Sequence, residues 1–155
     1  MKTCVRNDQK KVRLNTAAVR KLTAELAEKL TQADPDSTWE EVTLLLTDDG
    51  GITQANREFF GKDRPTDVIS FRCNPIPGEA GCTGDLLVNV ERAVQEGPRH
   101  DGADAELALY IAHGFDHLSG ADDDTPARRA AMRRTEMRWL KELKPFTGNL
   151  IVGLS

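Results

Sequence analysis

The sequence predicts a mixed α/β (α+β) domain, a small sheet of about four strands packed with four to five helices. Three observations predict it. Apolar residues at helical spacing alternate with short β-branched runs along the chain. Clusters of Asp, Gly and Pro punctuate the boundaries between them. The composition, 39% hydrophobic and 30% charged over 155 residues, is that of an ordinary globular chain. It argues for one domain over residues 1–155 and against whole-chain disorder.

Residues 3–6 read as a short first strand. Asn15 and Thr16 offer N-cap oxygens ahead of Val19, Leu22, Leu26 and Leu30, the apolar face of a helix that Asp34-Pro35-Asp36 breaks. Val42 to Thr47 is a buried strand, closed by a tight turn at Asp48-Asp49-Gly50-Gly51. Thr53 then caps a helix through Phe59 and Phe60 to Gly61. Asp67 to Cys73 and Asp85 to Val90 form a hairpin whose long connection, 74–81, is rich in proline and glycine. A linker at 97–102 precedes a helix from Asp104 to Leu118, with Gly120 at its C′ position. Thr125 caps the last helix and Pro126 opens it, while Met132, Trp139 and Leu143 supply part of its buried side. The tail from Pro145 to Ser155 has no clear assignment.

Charge is segregated. The chain carries 21 Lys+Arg against 25 Asp+Glu, a net −4, which argues against a surface wholly given to nucleic acid. Yet residues 125–144 hold seven basic and two acidic side chains. That helix, with Arg128, Arg129 and Arg133, suits either a solvated face or an RNA partner. The longest clean apolar run, Leu107 to Ala112, is far short of the roughly 20 residues that span a bilayer, so no membrane partner is expected. Residues 1–4 lead into a polar segment with no secretory apolar core. Cys4, Cys73 and Cys82 are odd in number and lack metal-knuckle spacing, so a cytoplasmic, reducing location is expected. A Cys73–Cys82 bridge across the hairpin is the alternative.

The informative stretch runs from His113 to Asp123. Histidines at i and i+4 share one helical face, so His113 and His117 can converge on one metal ion. Gly120 turns the chain back and brings Asp123 beside them, giving H-x-x-x-H-x-x-G-x-x-D. Two nitrogens and one carboxylate, with a fourth position open, make a plausible Zn²⁺ site, one ion per chain. His100 competes as third ligand. Zinc peptidases place Glu after the first histidine as general base; here Gly114 stands there, which weakens that reading.

This stretch resembles the H-G-x-L-H-L-x-G-x-D-H motif of the YbeY family of endoribonucleases. Residues 61–71, from Gly61-Lys62-Asp63 to Ser70-Phe71, are similar to that family's G-K-D-x-P-T-D-V-L-S-F segment. Gly84-Asp85-Leu86 resembles its G-D-I strand start, and Asn56 sits in the position of its N-x-x-x-R helix. The resemblance covers roughly residues 40 to 143. Three departures stand out. Asp123 replaces a third metal histidine, Asp116 replaces a leucine, and Phe60 replaces an arginine often regarded as functional. Arg57, one turn back, can present a guanidinium in its stead or remain a solvated helix arginine. Asp116 is either an exposed helix position or a partner behind the ligands.

The resemblance implies a single-strand-specific, metal-dependent endoribonuclease of ribosomal-RNA maturation and ribosome quality control, with the ribosome or its proteins as partners. It implies a role around the cleft for Thr66-Asp67 and Gly84-Asp85, with Arg57 and Asp85 as candidate catalytic residues. Lys62, Arg64 and Arg72 flank a strand where they can meet phosphate. The competing readings are a non-catalytic ribosome-assembly factor with a structural metal and a zinc metallopeptidase.

Overall fold

A computed structural model describes residues 1–78 and 80–155. In chain order the elements are strands Lys2–Asn7 (β1) and Val12–Leu14 (β2), helix Thr16–Ala33 (α1), strand Trp39–Thr47 (β3) and helix Asp49–Phe60 (α2). Strands Val68–Cys73 (β4) and Cys82–Asn89 (β5) follow, then helices Val90–Glu96 (α3), Ala103–Leu118 (α4) and Pro126–Glu142 (α5), and strand Ile151–Leu154 (β6). β1, β3 and β5 run parallel, β4 closes the edge antiparallel to β5, and the order is β1-β3-β5-β4. The predicted α/β class, with four strands in the main sheet, is what the chain forms. No helix among the described residues is long and apolar enough to cross a membrane.

Side chains alternate across a strand, and here the alternation decides which residues see the site. Val42, Leu44 and Leu46 of β3, with Leu86 and Val88 of β5, pack against α1 and α4 in the main core. Leu87 of β5 and Ile69 and Phe71 of β4 face the other way, toward Ile52 and Ala55 of α2. Asp85 shares the parity of Leu87 and is exposed. The sheet therefore separates Asp85 and α2 from α4.

The caps follow the residue chemistry. Asn15 accepts from the Ala18 amide, Thr125 accepts from the Arg128 amide, and Gly61 ends α2 at a left-handed φ of 66°. Four expectations need correction. Asp48, not Thr53, caps α2, accepting from the Gly51 amide, so the expected Asp-Gly turn is the helix's first turn. Val90 begins α3 rather than ending β5, because Asn89 caps it by accepting from Arg92. β3 and β5 begin earlier than expected, at Trp39 and Cys82. The unassigned tail supplies β6, which pairs antiparallel with the unforeseen β2. The hairpin connection at 74–81 includes position 79, which lies outside the described residues. Cys4, Cys73 and Cys82 are free thiols.

Arg72 illustrates how the end of α1 is locked to the sheet. Its Nη1 donates to Asp34 Oδ2 at 3.0 Å and to the Leu118 carbonyl at 2.8 Å; its Nη2 donates to Ser37 and its Nε to Asn74. The guanidinium also stacks on Trp39. Every nitrogen is committed within the fold, so Arg72 is a clamp rather than the phosphate contact its position suggested. Burial opposes ionisation of Asp34, but hydrogen bonds from Trp39 and Ser37 and the Arg72 charge outweigh it and hold the carboxyl below its ordinary 3.8. A depressed carboxylate stabilises the fold fully above its unfolded value and loses that contribution as pH falls through its folded one. Asp34→Asn is therefore expected to flatten the acid limb of stability against pH in urea unfolding below about pH 4. An unchanged acid limb would count against the clamp.

Candidate metal centre

Metal ligands must converge with their lone pairs unspent, and the last turn of α4 offers two side chains that could do so. His113 and His117 lie one turn apart and present Nε2 to Nε2 at 3.1 Å. After Gly120, which turns the chain at a φ of 103°, Asp123 swings back. Its Oδ2 stands 3.4 Å from His117 Nε2 and 3.7 Å from His113 Nε2. The three donors lie within 4.8 Å of one another, the one such cluster among the described residues.

The second ring nitrogens are already engaged. Glu136 of α5, buried among the helices, accepts from His113 Nδ1 at 2.8 Å. The Ala121 carbonyl accepts from His117 Nδ1 at 3.1 Å. Both hydrogen bonds fix the tautomer that leaves Nε2 as a ligand, the arrangement found behind metal-bound imidazoles. Burial alone would lower the His113 pKa, but the Glu136 carboxylate beside it outweighs this and holds it above its ordinary 6.5. Two directed imidazoles and a carboxylate are a donor set that zinc accepts, so the residues present fit the ion.

Asp116 is buried rather than exposed, and it abuts Glu136. Burial first, then the Glu136 carboxyl, pushes its pKa up to about 7, and its Oδ2 has no hydrogen-bond partner. It thus backs the carboxylate that orients His113. Gly114 has an equally local reason. A Cβ there would lie 3.0 Å from Leu86 Cδ2 and 3.2 Å from Val68 Cγ2, and Ser70 reaches the Gly114 carbonyl at 3.4 Å. The position faces the sheet at close approach, where a peptidase glutamate has no room.

A cleft of about 540 Å³ opens beside the ligands, lined by His113, Asp123, Glu136, Asp67 and, on its basic side, Arg92, Arg129 and Arg133. Among the nominated basic residues the structure therefore gathers Arg129 and Arg133. Arg129 also donates to the Asp123 carbonyl at 3.1 Å, tying α5 to the ligand loop. Arg128 turns to Asp124 and is paired there. Arg57 pairs with Asp63 at 3.0 Å on the α2 side and does not line the cleft. Asp85 lies across the sheet, so neither candidate catalytic residue meets the His113–His117–Asp123 cluster. Lys62 and Arg64 are exposed in the segment between α2 and β4 and do not line the cleft. Asp67 does line it, with its Oδ1 accepting from the Val68 amide at 2.7 Å. Sequence reasoning missed Glu136 and Arg92. Glu136 carried one signal, an acid buried inside the most basic segment; Arg92 carried none.

Comparison with known proteins places the chain in a family. The family model described as Endoribonuclease YbeY matches residues 4–144. An endoribonuclease YbeY of Syntrophomonas wolfei is 30% identical over 93% of this chain and 98% of its own. One from Rhizobium etli is 38% identical over 70% of this chain and 67% of its own, and one from Anaeromyxobacter is 39% identical over 62% and 50%. The solution structure of TM1509 from Thermotoga maritima superposes with a TM-score of 0.59 at 20% identity, covering 92% of both chains, and so shares the fold. With the family model and a relative spanning nearly the whole chain in accord, the protein belongs to the YbeY family.

Proposed function

We propose that the chain is a metal-dependent endoribonuclease whose ion is held by His113, His117 and Asp123. One observation carries the reading: three donors converge beside a cleft whose lining also holds Arg92, Arg129 and Arg133. We further assign zinc as the ion, single-stranded ribosomal RNA as the substrate and the cytoplasm as the place of action, with residues 1–155 acting as one domain. When bound, zinc supplies Lewis acidity toward a phosphodiester. The chain's own residues hold the rest. Glu136 and the Ala121 carbonyl orient the imidazoles, and Arg129 and Arg133 offer positive charge to the RNA backbone. Three protein donors leave a coordination position open, which fits catalysis better than a structural metal.

The test is zinc-loaded protein incubated with single-stranded and duplex fragments of ribosomal RNA, beside His117→Ala and a chelated sample. Internal cuts in the single-stranded fragment, lost in both controls, are expected. Equal cutting by His117→Ala, or none by the loaded wild type, overturns the reading.

A further inference from the structure

The end of the cleft away from the metal ligands holds a second built arrangement. His100, just after the 3-10 turn Gly97–Arg99, engages the Glu106 carboxylate through Nδ1 at 2.9 Å. Glu106 is only 6% exposed although it is charged by nature. A buried carboxylate costs free energy unless its partners are fixed, so it orients whatever it binds. Its other neighbour is Tyr110, whose hydroxyl stays protonated because burial and then the Glu106 carboxylate hold its pKa well above 10.0. Glu106 thus stands behind His100 as Glu136 stands behind His113, and Nε2 is the nitrogen left for a ligand.

Placement on α4 relates the two ends. Glu106, Tyr110, His113 and His117 are spaced four, three and four residues apart, so they share one helical face. Glu106 lies two turns before His113, about 10 Å along the axis. That is longer than a single phosphate group and suits an adjoining nucleotide. His100, Glu106 and Tyr110 line the same cleft as His113 and Asp123. Arg92 of α3 and Arg133 of α5 enter that lining from two other elements. Among the described residues neither guanidinium forms an ion pair, whereas Arg57, Arg72 and Arg128 are each committed to an acid. Two other acids line the cleft: Glu96 faces Arg99 at 3.8 Å, and Asp67, which accepts from the Val68 amide, acts on Tyr110 from the start of β4.

We infer that His100, oriented by Glu106, forms with Arg92 and Arg133 a second phosphate subsite, which takes the RNA backbone phosphate adjoining the one presented to the metal ligands. The inference rests on the endoribonuclease reading and deepens it. The strand is then held by charge at two successive phosphates, and a substrate with only one phosphate forgoes the second contact.

Two measurements test it. In the first, chelated protein binds a fluorescein-labelled single-stranded RNA hexamer across a salt series, so no cleavage is needed. Arg92→Ala and Arg133→Ala are each expected to reduce the slope of log K against log salt by about 0.7, the increment for one phosphate contact on a single strand. Arg57→Ala leaves the slope unchanged. In the second, zinc-loaded protein cleaves a dinucleotide, with one phosphate, and a tetranucleotide, with three. His100→Ala is expected to raise KM on the tetranucleotide about tenfold with kcat little changed, and to leave the dinucleotide rate as it is. Unaltered salt slopes in both arginine variants overturn the subsite. So does an equal loss on both substrates, which would put His100 at the scissile phosphate. If the wild type cleaves no RNA, the endoribonuclease reading fails, and the binding series still decides the subsite.

Discussion

Replacing His117 by alanine will strip the metal from the chain and abolish RNA cleavage, and His113→Ala will do the same. Each removal leaves two donors where an ion needs at least three, and catalysis by a bound ion is worth several kcal/mol, more than about a hundredfold in rate. The sharper comparison lies among three consecutive aspartates. Asp123 Oδ2 approaches both imidazoles, whereas Asp122 Oδ1 accepts from the Asp123 amide at 2.8 Å and Asp124 holds Arg128 at 2.9 Å. Asp123→Ala should therefore lose most of the bound metal on elemental analysis, while Asp122→Ala and Asp124→Ala keep it. Asp123→His should retain a zinc site, since imidazole nitrogen binds at about the same distance as carboxylate oxygen. Full metal content in Asp123→Ala would remove that residue from the site and leave the histidine pair standing.

The next largest effect is expected at Glu136, which touches no ion. Its carboxylate fixes the tautomer and angle of His113. Loss of such a partner costs about 10–100-fold in metal affinity. Competition with a chromophoric chelator should show this for Glu136→Ala, with a smaller loss for Glu136→Gln, which keeps an acceptor oxygen. Glu142→Ala serves as the control, because that acid pairs with Lys29 at the surface. A Glu136→Ala protein that folds and holds zinc as tightly as wild type would show that His113 needs no such support.

Whether a feature was legible depended on whether its cause was local. The Asn15 and Thr125 caps, the Gly61 terminus and the His113–His117 pair each follow from residues within one or two turns, and each was read from the chain. Thr53 misled because two glycines before it resemble a turn, whereas Asp48 uses the Gly51 amide to start a helix. β2 has three residues, too few to display a period of two, and its partner arrives from residues 151–154. α3 was hidden because Val90 continues the apolar run of β5. Asp85 and Arg57 fell on the wrong side of the sheet, a matter of strand parity and helix placement that one chain segment does not reveal. Arg72 resembled a surface cation until its partners, supplied by β3, α4 and the segments after α1 and β4, came together. The role of Glu136 was hidden for the same reason, since its one signal, an acid in a basic segment, did not point to a histidine 23 positions earlier.

The two margins of the main sheet are unequally defended against pairing with a foreign strand. On one margin β1 carries Lys2 and Arg6, charges that discourage an incoming backbone. On the other, β4 reads Val-Ile-Ser-Phe-Arg-Cys, and its one cation, Arg72, is turned inward. Beside it Phe59 and Phe60 stand 62% and 52% exposed, Phe60 stacked on Phe71 and Phe59 tilted against it. The aromatic at position 60 therefore removes a charge from a place where charge acts as a gatekeeper. A foreign strand therefore meets less opposition at the β4 margin, and Phe60→Lys is the substitution that would guard it.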